Sequence, residues 1–332
     1  MRPPLLKNIF AGLVLGSLCL GGALAAQISG DFRTPIVGYV LDRHLQAIRP
    51  IVGILGSSRI EEPMDFGFAI REAMFLSDQR HAIVVPAGSA EVLVVDLETT
   101  VVSARIAGVS SPVSMIRTSH DGTHAGLFVP ALNELLLMDG LPNTPVLRDS
   151  LDVSFAGFPL SRFAVSKDGI VLLAFHADEG DVVYSWASGT GPRFVTTASR
   201  VTDMVLTDTD AVIADAGANQ LLMVKDVRGR ALRLLIADNA NGVSEPAAVA
   251  VSSRREIYAA SRNSILVLDE AGQMLRKINC ACRVVSMVPL ADSAFRLTDE
   301  LDHPLFVLDS RSVPEQILFV PALSVTTAEP AE

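Results

Sequence analysis

Histidine is the first residue type to ask about in a chain that might do chemistry, and this one has six: His44, His81, His120, His124, His176 and His303. A zinc or copper site needs two or three at short fixed spacing, completed by a carboxylate or thiolate. His120 and His124, flanking Asp121 in SHDGTH, come nearest. The same segment carries the Asp-Gly pair of a tight, solvated turn, where polar residues are expected on their own account. His176, beside Asp178 and Glu179 in AFHADEGD, reads as loop in the same way. No metal site is therefore assigned, and no cofactor is expected. The chain has no P-loop or dinucleotide fingerprint, and GILGSS at 53–58 opens no helix whose dipole could hold a phosphate. Nucleophilic catalysis finds no G-x-S-x-G elbow.

Cys280 and Cys282, in NCACR, sit two apart and on an extended strand would share one face. An even count in an exported protein suggests oxidation, but a Cys-x-Cys ring is tight and closes almost no loop. The readings, in order of preference, are two buried thiols, a disulfide, and a metal-ligand pair completed from elsewhere. Three charged residues, Glu72, Arg162 and Asp203, acquire meaning only through the elements that carry them.

Those elements repeat. An alternating apolar strand, an Asp near its end, a short polar turn and a second apolar strand recur from IVGYVLDRHLQAIRPIVGI (36–54) to PLFVLDSRSVPEQILFV (304–320). The strand-end aspartates are Asp42, Asp96, Asp139, Asp226, Asp269 and Asp309, spaced 54, 43, 87, 43 and 40 residues apart, with Ala187 in place of Asp in the fourth copy. A period near 40–45 residues in an all-strand pattern is that of four-stranded propeller blades. Between these hairpins lie two more strands, clearest in MIRTSHDGTHAGLFV (115–129) and RFAVSKDGIVLLAF (162–175). The expected fold is all-β: one propeller of four-stranded blades, seven with one incomplete. Six blades with an N-terminal hairpin packed outside is the alternative.

The Ser-x-Asp-Gly turn, followed later by VLVVDLETTVVSARIAG, resembles the YVTN-type repeat of bacterial extracytoplasmic propellers, and ADAGANQLLMV (214–224) is similar to the middle of an NHL repeat. A WD repeat fits less well, because Ala187 follows Trp186 where that family has Asp. The resemblance implies a lumenal or cell-surface propeller and leaves the ligand open.

The first 25 residues read as a signal peptide. Arg2 and Lys7 precede the apolar run Ile9–Ala26, and Ala23-Leu24-Ala25 fits an A-x-A cleavage site. A retained anchor is the competing reading; after cleavage no stable membrane span is expected. The propeller is assigned to 26–323 and a flexible tail to 324–332. Without Arg2 and Lys7 the balance is 25 basic against 37 acidic residues, which repels phosphate backbones and argues against nucleic acid as a partner.

In a propeller the first strand of each blade lines the central channel. Aligned on the turn serine, these strands put Ala73, Met115, Arg162, Asp203, Ala248 and Ser286 at one level, with Glu72 one residue earlier. Arg162 and Asp203 fall on neighbouring blades, so an ion pair that fixes blade packing is expected between them. Glu72, Arg162 and Asp203 are the candidates for ligand binding at the channel mouth. The expected function is a secreted or periplasmic binding module for an unknown protein or small molecule. The alternative, a lactonase- or lyase-type propeller enzyme, rests on fold analogy.

Overall fold

In the computed structural model, residues 34–252, 254–290, 294–298, 301 and 305–322 are described. The signal peptide assigned to 1–25 and the tail assigned to 324–332 lie outside them. Among the described residues no helix is long and apolar enough to cross a membrane.

The chain is a seven-bladed β-propeller whose first blade has three strands. Blade 1 contains β1 (Ile36–Asp42), β2 (Ala47–Ile54) and β3 (Ser57–Ile60). Blade 2 contains β4 (Ile70–Phe75), β5 (His81–Pro86), β6 (Val92–Asp96) and β7 (Val101–Ile106). Blade 3 contains β8 (Met115–Thr118), β9 (Ala125–Val129), β10 (Glu134–Asp139) and β11 (Val146–Asp152). Blade 4 contains β12 (Leu160–Val165), β13 (Ile170–Ala177), β14 (Gly180–Ala187) and β15 (Arg193–Ala198). Blade 5 contains β16 (Val201–Leu206), β17 (Ala211–Asp215), β18 (Gln220–Lys225) and β19 (Leu232–Ala237). Blade 6 contains β20 (Pro246–Val251), β21 (Ile257–Ser261), β22 (Ser264–Leu268) and β23 (Met274–Asn279). Blade 7 contains β24 (Val288–Pro289), β25 (Ala294–Arg296), β26 (Leu305–Asp309) and β27 (Gln316–Val320). Each sheet is an antiparallel meander in chain order.

Sequence pattern explains which strand lies where. The middle strands are apolar on both faces because both pack against neighbouring blades, as the fully buried β9, β17, β21 and β22 show. Outermost strands such as β7 alternate exposed and half-buried residues, with one face in water. Between blades 4 and 5, Leu172 and Val183 meet Ile213 and Leu222, all inaccessible to solvent. Burying each such side chain contributes about 1.5–3 kcal/mol.

Blade 1 departs from the phase the repeat suggested. In blade 2 the Asp96 turn lies at the far rim, beside the β4–β5 turn, where Arg80 pairs with it at 3.2 Å. The Asp42 turn lies instead at the rim where first strands begin. Ile70 N–H, at the start of β4, donates to Gln46 O at 2.6 Å, and Arg43 pairs with Glu72 at 3.0 Å. Strand β1 therefore starts at the far rim, where Gly38 lies so close to Leu290 that a Cβ would meet its Cδ2 at 2.5 Å. Thus β1, β2 and β3 take the second, third and fourth places of a blade, and the innermost place is the one left out. Arg296 from blade 7 reaches across this region: its Nη1 donates to Tyr39 O at 2.8 Å and its guanidinium lies 5.8 Å from the Phe75 ring centre. The ring closes through Ile60 N–H to Pro321 O, 2.9 Å, and a parallel bridge from Ile60 to Ala322.

The cysteines also differ from the preferred reading. The chain bends after β23, and Cys280 and Cys282 are joined by a disulfide with Cα atoms 5.0 Å apart, within the span such bonds accept. Both are buried against the apolar cluster of blades 6 and 7. We expect neither sulfur to take up an alkylating reagent in native protein, nor in unfolded protein until reductant is added, as read by peptide mass. Labelling on unfolding alone would restore the paired-thiol reading.

Candidate functional site

The first strands touch one another around the ring, β4 with β8, β8 with β12, β12 with β16 and β16 with β20. Each ends in a turn whose first N–H bonds back to the second strand: Leu76, Ser119, Ser166, Thr207, Ser252 and Leu290. Four residues before these donors stand Glu72, Met115, Arg162, Asp203, Ala248 and Ser286, which therefore share one level. Glu72 replaces Ala73 in the expected set, because in blade 2 the bonding residue is Leu76 and not Ser77. The ladder register confirms this. A shift near the start of β4, β12, β16 and β20 leaves one extra residue, after which Glu72, Arg162, Asp203 and Ala248 resume pairing.

Arg162 and Asp203 do not form the expected ion pair, because each side chain reaches onward to the backbone of the next blade. Arg162 donates from Nε to Thr202 O at 2.9 Å and from Nη1 to Ser161 O at 2.7 Å. Asp203 accepts from Val249 N–H at 3.0 Å and from Met204 N–H at 2.9 Å. Burial pushes the Asp203 carboxyl above the usual carboxylate range, against the pull of the Val249 N–H and the positive Arg117 and Arg162. Glu72 is engaged by Arg43 through both oxygens, at 3.0 and 3.2 Å. Ser286 Oγ is buried with no hydrogen-bond partner among the described residues.

Two arginines that sequence alignment at a single level passed over belong to the same strands. Arg71, at the extra residue of β4, donates from Nη2 to Val113 O at 3.1 Å, just ahead of blade 3. Thr202 makes the equivalent contact from Oγ1 to Pro246 O at 2.6 Å. Arg117, two residues beyond Met115, donates from Nη1 to Ile116 O at 2.9 Å. The signal was an Arg on each of three successive first strands, visible only once they are compared at several levels.

The histidine segments are occupied by local bonds. His124 Nδ1 lies 2.9 Å from Thr123 Oγ1, and its Nε2 lies 3.2 Å from Arg148 Nη1 and 3.4 Å from Asp139. His176 Nδ1 lies 2.8 Å from Asp181, whose other oxygen accepts from Val201 N–H and so ties blade 4 to blade 5. Among the described residues no three His, Cys, Asp or Glu side chains are grouped as a metal would require.

No family model matches the chain, and no curated protein does. Solved structures do. A functionally unknown protein from Desulfotomaculum acetoxidans aligns with TM-score 0.61 at 12% identity, over 85% of this chain and 95% of that one. Hsv2 from Kluyvelomyces marxianus aligns with TM-score 0.54 at 10% identity, over 86% and 98%. Kuenenia stuttgartiensis hydrazine synthase aligns with TM-score 0.53 at 13% identity, over 88% and 99%. The likeness is one of fold. A binding or enzymatic role has to be argued from the side chains of this chain.

Proposed function

We propose that the protein is an exported binding module, secreted or periplasmic and of the YVTN-like kind, that takes its ligand at the channel mouth. The carrying observation is the uneven ring at one level. Blades 2, 4 and 5 present Glu72, Arg162 and Asp203, whereas blades 6 and 7 present the small Ala248 and Ser286. Such a ring gathers the polar groups that could orient a ligand on one side of the channel. A lactonase- or lyase-type site with a divalent metal would need grouped carboxylates and histidines. The carboxylates here are instead spent on Arg43 and on backbone N–H groups.

The test is a thermal-shift panel of neutral, cationic and anionic small molecules against wild type, Asp203→Asn and Arg162→Ala. Compounds that raise the wild-type melting temperature but leave one or both variants unshifted support the reading. Shifts that persist unchanged in both variants would place the site elsewhere.

A further inference from the structure

The three arginines of the first strands make a specific ligand chemistry available at the mouth. Arg71, Arg117 and Arg162 stand on β4, β8 and β12, in three successive blades. None of them is in an ion pair among the described residues. Several arginines at the rims do form ion pairs, Arg80 with Asp96, Arg262 with Glu245 and Arg255 with Asp208 and Glu270. Other arginines without an ion pair among the described residues, such as Arg193, Arg200, Arg230 and Arg233, are exposed, as Arg162 is, but stand off the first strands.

A guanidinium carries five N–H donors, and these three use one, one and two of them on backbone carbonyls. The carbonyl bonds fix each side chain without neutralising it. Glu72 is held by Arg43, and Asp203, though within electrostatic reach of Arg117 and Arg162, makes its hydrogen bonds to the Val249 and Met204 N–H groups and no direct ion pair with either arginine. Positive charge is thus concentrated on three neighbouring strands of a chain whose net charge is −10. Planar guanidinium forks with spare donors match the paired oxygens of a carboxylate or phosphate.

We propose that the channel mouth is a receptor for the oxyanion group, carboxylate or phosphate, of a small molecule, held by Arg71, Arg117 and Arg162. The proposal rests on the mouth being the binding site and adds the charge and chemistry of what it binds. The whole chain is titrated with succinate and, separately, with inorganic phosphate, with sodium chloride at matched ionic strength as the reference. Saturable binding of either probe above the chloride reference is expected, and whichever binds identifies the oxyanion preferred. Arg162→Gln and Arg117→Gln should each weaken it roughly tenfold or more, the loss of one charge-assisted contact, with unchanged circular dichroism. Arg233→Gln, on the outer wall, should leave it unchanged.

Absence of saturable binding of both probes to wild type would overturn the proposal without recourse to any variant. So would equal affinity in folded Arg162→Gln, which would mean that the guanidinium only braces the blades. A neutral compound that binds wild type and is lost in Asp203→Asn, with neither oxyanion bound, would sink this proposal and leave the channel as the binding site.

Discussion

Asp215→Ala is expected to lower the melting temperature by roughly 10 °C, corresponding to a loss of about 4 kcal/mol. The Asp215 carboxylate is fully buried and accepts five hydrogen bonds. Ser199 and Arg200 N–H, in the connection into β16, reach it at 2.9 Å. Gly217 and Ala218 N–H, in the β17–β18 turn, reach it at 3.1 and 3.2 Å, and Gln220 Nε2 at 2.9 Å. One side chain therefore holds together two loops at the rim that carries Asp203. Removing it leaves several backbone donors without a partner, each worth about 1–3 kcal/mol where water cannot replace the carboxylate.

Burial alone would raise the Asp215 pKa, but the N–H groups of Ser199 and Arg200 and the Gln220 amide outweigh it, and the carboxyl is held below the usual carboxylate range. A depressed acid stabilises the fold above its unfolded value, near pH 3.9, and loses that contribution as pH falls through the lower folded value. The gap between wild type and Asp215→Asn, measured by urea unfolding, should be constant from neutrality to about pH 5 and narrow below about pH 4. A gap that widens on acidification would contradict this assignment.

The Asp42–Arg49 pair carries the second large effect. Both side chains are buried, and Arg49 Nη1 lies 3.3 Å from Asp42 Oδ2. Arg49 also donates from Nε to Glu61 O at 2.7 Å, and Asp42 Oδ1 caps the turn through His44 and Leu45 N–H at 3.1 and 3.0 Å. Either Asp42→Ala or Arg49→Met strands a buried charge and should cost about 3–5 kcal/mol. The double variant should cost clearly less than the two single effects added, by at least about 1 kcal/mol in denaturant unfolding. Additive losses would mean that the pair is not coupled.

Much of the fold was legible because the blade repeat is written in apolar strands and Asp-closed turns, and both are local signals. Blade 1 was misphased for a physical reason. IVGYVLD looks like the third-strand segment EVLVVD because second and third strands are both buried on two faces, so only the rim at which the turn falls distinguishes them. Glu72 was set one residue off because Ser77 resembles the turn serines of blades 3 and 4, whereas Leu76 makes the bond. The Arg162–Asp203 pair was inferred from level alone, and level does not say that each side chain leans toward the following blade. ADAGANQ was read as a family likeness, and its Asp215 is in fact the anchor of the rim. The bond between Cys280 and Cys282 depends on a bend after Asn279 that no periodicity announces.

The place of blade 1 has a consequence for how the protein is made. Its Val37, Val40, Ile51 and Ile60 rest against Leu305, Val307 and Val320, from the opposite end of the described chain. Blades 2 to 6 can accrete on one another as each is synthesised, since every one packs against a blade adjacent in sequence. Blade 1 cannot cover its second face until β26 and β27 exist, and contacts this distant form late because the chain must first close on itself. A nascent protein therefore passes through a long interval as an open arc with a greasy end. During that interval it is exposed to self-association unless it is kept unfolded or shielded until the last strands arrive.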